Sequence, residues 1–219
     1  MPVLAHRFYA VQSLFRQSMA ALIMLAALFA GPVGHADTSE GPYQRVELIT
    51  ATLMSLIEEY RDDYEVRSEQ YFAQLGELLD THVDFKYIAR GVMGPFYSRA
   101  SEAQIERFIA VFRSGLIETY GRGLGSYNNQ TIELLPHQPI DPEQRSVTVR
   151  QQIISEGTIY PLQYSMGKSR TSEQWQIINV VINGINLGKT FRTQFVQAAN
   201  RNGGDIDAVI DGWATTTEE

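Results

Sequence analysis

The stretch that decides the fold is residues 83–127, VDFKYIARGVMGPFYSRASEAQIERFIAVFRSGLIETYGRGLGSY. It predicts two amphipathic helices separated at Gly94-Pro95, because proline disfavours helical geometry in the residue before it. The first helix begins after Asp84, a good N-cap, and the second begins at a Ser101–Gln104 capping box and ends at Gly121. Both carry more apolar and aromatic side chain than two short helices need to hold each other. We therefore expect a large apolar partner beneath them.

The apolar spacing changes from 3.6 to 2 after this stretch, which is typical of strands. Strands are predicted at 131–135, 146–155, 158–166 and 175–182. Further helices are predicted at 43–60, 68–82, 187–200 and after Asp205. Helices first and strands later indicate a segregated α+β fold, with helices packed on one face of a curved antiparallel sheet. The strand at 175–182 is apolar on both faces, so we expect helix or ligand to cover both faces over part of its length.

The first 36 residues have the features of a secretory signal peptide. Arg7 and Arg16 supply positive charge, residues 19–30 are apolar, and Gly34 and Ala36 are small residues ahead of the expected cleavage point. An uncleaved anchor is disfavoured because the apolar run is shorter than the ~20 residues that span a bilayer. Cleavage after Ala36 would leave a single domain at 37–219.

Composition excludes several classes of function. The chain has no cysteine, so disulfides, thiolate metal sites and acylation at a cysteine are absent. Removing residues 1–36 changes the formal net charge from −7 to −9, because Arg7 and Arg16 are lost and no acidic residue is. This acidity argues against nucleic acid as a partner and opposes adsorption to anionic membranes.

Candidate catalytic and metal-binding residues are scarce. His82 ends a helix, where an imidazolium would complement the helix dipole, and His137 lies in a proline-rich link; neither has a histidine or carboxylate at metal-ligand spacing. The carboxylates outside the helix ends lie in turns and caps rather than in apolar stripes. Arg150, in mid-strand, would either pair with an acid or face an anionic head group. We therefore predict no catalytic residue and no metal site.

The excess of apolar side chains on converging helices and strands has two interpretations. Simple core packing explains most of them. The aromatic excess and the doubly apolar strand favour a cavity between helices and sheet that holds a fatty ligand.

Residues 83–130 resemble the central block of the MlaC (toluene-tolerance, Ttg2-type) family of periplasmic phospholipid-binding proteins. The resemblance includes the DFKYIARGVMG start, the Phe96-Tyr97 pair and the helix that begins at Ser101 and ends in Thr119-Tyr120. Downstream, WQIINVVINGINL and FRTQF resemble two further blocks of the family, matching at Trp175 and Gly184 among others. The chain departs from the family at Asn179, Asn183 and Asn186, where acidic residues or serine are usual.

The resemblance implies a carrier and not an enzyme, on a fold of the NTF2-like or cystatin-like kind. Such proteins carry phospholipid across the periplasm between an outer-membrane lipoprotein–porin complex and an inner-membrane ABC transporter with an MCE-domain ring. This traffic maintains outer-membrane lipid asymmetry and organic-solvent tolerance. We accordingly expect a periplasmic monomer with phospholipid as cargo, no cofactor and no nucleic acid. A hopanoid-associated branch of the family is an open alternative, as are a small isomerase-like enzyme and a pure interaction module.

The expected lipid-binding residues are the apolar side chains of the two central helices, the three long strands and the helix after them. They are Val92, Met93, Phe96, Phe108, Phe112, Val149, Ile153, Tyr160, Leu162, Tyr164, Trp175, Ile177, Val181, Leu187 and Phe191.

Overall fold

Helices form the first half of the molecule and return at its C-terminal end. The computed structural model describes residues 41–124 and 130–215, so the expected signal peptide lies outside the described residues. The helices are α1 (Pro42–Tyr60), α2 (Tyr64–His82), α3 (Phe85–Met93), a 3-10 helix (Gly94–Arg99), α4 (Glu102–Leu124), α5 (Leu187–Arg201) and α6 (Ile206–Thr215). No helix among the described residues is long and apolar enough to cross a membrane.

The sequence signals at the helix starts are confirmed by hydrogen bonds. The Asp84 carboxylate accepts from the Tyr87 amide at 2.8 Å. The Gln104 amide donates to Ser101 Oγ at 3.2 Å, and Ser101 N donates to Gln104 Oε1 at 2.9 Å, which is the reciprocal pattern of a capping box. Asp205 caps α6 by accepting from the Ala208 amide at 3.1 Å.

Replacing Ser101 with alanine is expected to lower the free energy of unfolding by about 1 kcal/mol, because the Gln104 amide loses its acceptor. Urea denaturation of the variant beside Ser98→Ala measures this effect. Ser98 is also exposed, but its hydroxyl donates to Pro95 O at 3.4 Å and caps no helix start. An equal loss in both variants would contradict the capping role.

Two helix bounds differ from the expectation. α2 begins at Tyr64 and not at residue 68, although Arg67 has non-helical backbone angles, and α4 ends later than predicted. α4 continues past Gly121 to Leu124, because Gly121 serves close packing and not helix termination. A Cβ at Gly121 would lie 2.8 Å from side-chain atoms of Phe72 and Leu75. The Tyr71 hydroxyl donates to Gly121 O at 3.1 Å, and burial raises the pKa of Tyr71 to about 12, so this donor keeps its proton.

The sheet is a five-stranded antiparallel meander in sequence order, curved and unclosed, which confirms the predicted fold class. Its strands are β1 (Thr131–Leu134), β2 (Ser146–Ser155), β3 (Thr158–Lys168), β4 (Trp175–Ile182) and β5 (Ile185–Asn186). Glu156 and Gly157 form the expected hairpin turn with φ of 49° and 79°. Asn183 and Gly184 repeat it with φ of 48° and 82°, as both central positions of a type I′ turn require, and lead into β5, which was not predicted.

α1 covers one face of this sheet, which we call the inner face. Val46 and Ile49 of α1 pack in one cluster with buried residues of β2, β3 and β4. Further along α1, the buried Gln151 donates from Nε2 to Oγ1 of the half-buried Thr50 at 3.1 Å, so a polar pair joins α1 to β2. The inner face is therefore closed where the first half of α1 lies on it.

An aromatic cluster is formed by α3, the 3-10 helix, α4, α5 and α6, and it meets the sheet at β4. Phe108 lies at its centre, with ring centroids 5.5 Å from Phe112, 4.9 Å from Phe195 and 5.6 Å from Trp213. Arg107 pairs with Asp207 and Asp211, which holds α4 to α6 at the surface. The cluster is anchored to the sheet where the Asp84 amide donates to Ile177 O at 3.0 Å.

Candidate lipid-binding surface

Burial along the strands changes abruptly half-way along the sheet. In β2, Val147, Val149 and Gln151 are buried and alternate with exposed residues, whereas residues 152–155 are all half-buried. In β4, Trp175 and Ile177 are buried, whereas residues 178–182 are all half-buried. Complete packing would have continued the alternation. The sheet thus has a closed half under α1 and an open half beyond it.

Register identifies the residues of the open half that share the inner face. Ile153 lies opposite Ile132 of β1 and Tyr160 of β3, while Gln151 lies opposite Leu162. Ile182 lies opposite Leu162 and Val180 lies opposite Tyr164. Directly opposed residues point to the same face of a sheet. The inner face of this half is therefore apolar. It consists of Ile132, Ile153, Tyr160, Leu162, Tyr164, Val180 and Ile182, of which Leu162 is buried and Tyr164 and Val180 also pack against the cluster under α1.

The side chain of Tyr164 is desolvated but keeps some solvent-accessible surface. Burial raises the pKa of its phenol, so the hydroxyl lies in a poorly hydrated part of the protein and stays protonated. The residue is nevertheless only half-buried by surface area. Tyr164 therefore lies deep in the protein and still keeps some accessible surface. Its hydroxyl is a hydrogen-bond donor on the inner face.

A groove between α4, α5 and α6 is a second apolar concavity. It has a volume of about 440 Å³ and is lined by Phe112, Leu116, Tyr120, Phe191 and Trp213, with polar side chains at its rim. This volume is within the range of small-molecule sites. Burial also raises the pKa of Tyr120, although this residue is 42% exposed.

The structure divides fourteen of the fifteen expected lipid-binding residues into four groups. A first group is buried in the aromatic cluster: Val92, Met93, Phe96, Phe108 and Phe112. A second is buried beneath α1: Val149, Trp175 and Ile177. A third lies on the inner face of the open half: Ile153, Tyr160, Leu162 and Tyr164. Leu187 and Phe191 are half-buried at the start of α5, and Phe191, like Phe112, also lines the groove.

Val181 does not share the face of the other expected residues. Its register partners are Gln163 and Asn186, so its side chain is on the opposite face from Tyr164. The cause is a bulge where β3 and β4 shift register between Ser165 and Met166. A bulge reverses which residues of a strand point inward. The inward residues of β4 are therefore Trp175 and Ile177 before the bulge, and Val180 and Ile182 after it.

Polar chemistry is sparse in the interior of the described chain. The buried polar side chains are His82 and Gln151, and both are hydrogen-bonded. An Arg45 guanidinium nitrogen lies 3.3 Å from His82 Nδ1, at the end of α2. Across residues 41–124 and 130–215, no three His, Asp or Glu side chains lie close enough to hold a metal ion.

A family model described as MlaC protein matches residues 47–215, which covers both halves of the sheet and every described helix at least in part. The chain belongs to the MlaC family. It is similar to the toluene tolerance protein Ttg2D of Pseudomonas putida, with 34% identity over 194 residues that span 88% of this chain and 87% of the relative. The recognition made from the central sequence block is thereby confirmed.

Two further MlaC-like proteins are similar. The intermembrane phospholipid transport system binding protein MlaC of Haemophilus influenzae is 24% identical over 131 residues, which span 59% of this chain and 60% of that protein. A phospholipid-binding protein from Ralstonia solanacearum, solved in complex with a phospholipid, superimposes with a TM-score of 0.72 at 24% identity. The match covers 82% of this chain and 100% of the Ralstonia solanacearum chain, which supports the same fold.

Several residues of the open inner face and of the groove were not among the lipid-binding residues predicted from the sequence. Ile132, Val180 and Ile182 belong to the open inner face, and Leu116 and Trp213 belong to the groove. Leu116 stands in the apolar stripe of α4, and that stripe could have indicated it. The bulge in β4 has no comparable signal in the sequence, so Val180 and Ile182 could not be distinguished from Val181.

Proposed function

We propose that this MlaC-family protein is a phospholipid carrier whose acyl chains pack against the open half of the inner sheet face. The observation that carries the proposal is the loss of burial alternation in β2 and β4, which leaves apolar residues partly uncovered around the deep Tyr164. A folded protein rarely leaves a contiguous apolar surface open unless something binds there. The solved Ralstonia solanacearum relative, which holds a phospholipid, supports the ligand class.

Energetics favour such a surface for a carrier. Each methylene kept from water stabilises by about 0.8 kcal/mol, so two sixteen-carbon chains represent on the order of 25 kcal/mol before the costs of ordering them. Apolar contact alone can therefore supply the binding free energy. Polar contacts to the head group can be few, in keeping with the sparse polar chemistry of the interior.

The groove supports the proposal by its place in the helical cluster. Phe191 of α5 lines the groove, while α5 begins directly after β5 and packs against β4. The groove is therefore a second apolar region, joined to the sheet through α5. We assign the groove to the end of one chain.

The cellular role follows the family. We propose that the protein acts in the periplasm after cleavage of residues 1–36 and exchanges lipid with an inner-membrane ABC transporter that carries an MCE-domain ring and with an outer-membrane lipoprotein–porin complex. This traffic would maintain outer-membrane lipid asymmetry. The names of the relatives, a toluene tolerance protein and an intermembrane phospholipid transport protein, support this role.

Native mass spectrometry of the purified protein is expected to detect about one bound diacyl lipid per chain, because the apolar surface is sized for a small-molecule ligand. Lipid extraction followed by fragmentation would identify the head group and would recognise a hopanoid cargo. Delipidated protein incubated with vesicles should regain the same mass increment. Protein that is always empty, both as purified and after incubation, would overturn the proposal.

A further inference from the structure

The surface formed by α3, the 3-10 helix and α5 differs in charge from the rest of the molecule. These three helices carry six basic and no acidic side chains: Lys86, Arg90, Arg99, Lys189, Arg192 and Arg201. The whole chain is acidic, with a formal net charge of −7. Charge is therefore segregated onto one part of the surface. The nearest acidic residue along the chain, Asp84, is engaged as the N-cap of α3.

Two pairs of basic residues, one on α3 and one on α5, define what we call the basic face. Lys86 lies one helical turn before Arg90 on α3, and Lys189 lies one turn before Arg192 on α5. All four are exposed, and α3 packs against α5. A basin of about 680 Å³ has Arg90 and Arg192 in its lining, but neither Lys86 nor Lys189.

The guanidinium groups of the basic face are not neutralised by carboxylates of the described chain. Arg90 lies over the Tyr97 ring, 5.9 Å from its centroid. Arg192 Nη1 donates to Gly91 O at 3.1 Å, near the C-terminal end of α3. By contrast, Arg67, Arg107, Arg113, Arg122 and Arg145 all form ion pairs with Asp or Glu. The positive charge of the basic face thus remains available to a partner.

Aromatic side chains surround this charge. Tyr87 is 56% exposed, and Tyr87 and Tyr97 both line the basin together with Pro95. Tyrosine is enriched at membrane–water interfaces, where an apolar ring and a polar hydroxyl meet the head-group region. Arginine and lysine beside it attract anionic lipids. The combination matches an anionic lipid surface.

We infer that the basic face docks the protein weakly and in one orientation on membranes that contain anionic phospholipid, with a head group entering the basin. The acidic remainder of the molecule is repelled by the same membrane surface, so adsorption through other faces is opposed, as the net charge predicts. Salt screens charges more than ~8 Å apart at physiological ionic strength, so the charges nearest the membrane decide the interaction. Contact through the basic face is therefore attractive. Docking of this kind goes beyond lipid carriage and does not depend on a bound cargo.

The absence of cysteine from the whole chain allows a clean test of orientation. Ser98→Cys places a single labelling site in the basin. Thr131→Cys places one on the exposed β1, at the opposite edge of the sheet from the β4 contact with α3. Each variant is labelled with an environment-sensitive fluorophore and mixed with vesicles of phosphatidylcholine alone or phosphatidylcholine with one quarter phosphatidylglycerol. We expect a blue shift only for the Ser98→Cys label and only with the phosphatidylglycerol vesicles.

Charge reversal tests which residues are responsible. We compare two double variants, Lys86→Glu with Arg90→Glu and Arg150→Glu with Arg170→Glu. Both change the net charge by the same amount, and all four side chains are exposed. Each basic residue at an anionic surface contributes about fivefold to binding, so the first pair should weaken vesicle binding at least about 25-fold. The second pair should change it by less than about twofold. Circular dichroism confirms that both double variants are folded.

The outcomes are distinguishable. No binding to phosphatidylglycerol vesicles at low salt, equal losses in the two double variants, or equal shifts from the two labels would each overturn membrane docking. Unchanged vesicle binding by Lys86→Glu with Arg90→Glu, combined with lost complementation in cells, would assign the face to an acidic protein surface and also overturn it. Failure of the proposed carrier function would appear separately, as missing lipid in native mass spectra.

Discussion

Replacing Ile153 with arginine is expected to reduce phospholipid occupancy at least about tenfold, because an unpaired guanidinium beside the acyl chains would lose its hydration. Ile153 lies on the inner face of the open half, opposite Ile132 and Tyr160. It is only half-buried, so the fold should tolerate the larger side chain better than at a fully buried site. Native mass spectrometry measures occupancy, and thermal denaturation measures the cost to the fold.

The neighbouring residue supplies a matched control. Ile154 is also an isoleucine, is also half-buried, and lies on the same strand, but its side chain is on the opposite face, beside Thr131 and Ile159. Ile154→Arg should therefore keep its lipid while suffering a similar change in Tm. Equal occupancy in the two variants would show that the inner face of the open half is not the binding surface.

Phe108→Ala is expected to lower the free energy of unfolding by about 3–5 kcal/mol, since the ring is fully buried and its loss leaves a cavity. Its edge-to-face contacts with Phe195 and Trp213 would be lost as well. This is a large fraction of the 5–15 kcal/mol that typically separates folded from unfolded domains. Chemical denaturation at constant lipid occupancy measures it.

Phe191→Ala is the comparison for this second prediction. Phe191 is half-buried and lines the groove, so truncation opens less of a void and should cost clearly less stability than at Phe108. If the groove receives an acyl chain, Phe191→Ala should also weaken lipid retention, whereas Phe108→Ala should leave the retained lipid unchanged in the folded fraction. A smaller loss of stability for Phe108→Ala than for Phe191→Ala would contradict the assignment of Phe108 to solid core.

Local patterns in the sequence predicted most of the fold because they act over a few residues. The Asp84 cap, the Ser101–Gln104 capping box and the Glu156-Gly157 turn are all complete within four residues. The apolar periods of 3.6 and 2 distinguished helices from strands, and their order along the chain indicated a segregated α+β fold. Where the prediction differed, at Gly121, a contact with α2 overrode a local stop signal.

The candidate site was predicted less well, because apolar sequence does not distinguish solid core from ligand surface. Phe108 and Ile153 are both apolar residues on a predicted inward face, but Phe108 is enclosed by other aromatic rings and Ile153 is not. The difference depends on where α1 stops covering the sheet, which is a property of packing between distant segments.

The sequence by itself therefore determined the class of fold, the family and the absence of thiol chemistry, since these depend on local spacing, ordered motifs and composition. Tertiary structure alone decided which apolar residues stay uncovered, which face Val181 takes after the bulge, and which basic side chains gather on one surface without carboxylates. These features arise from contacts between residues far apart in the chain. Cavity, register and charge segregation appear only when the chain is folded.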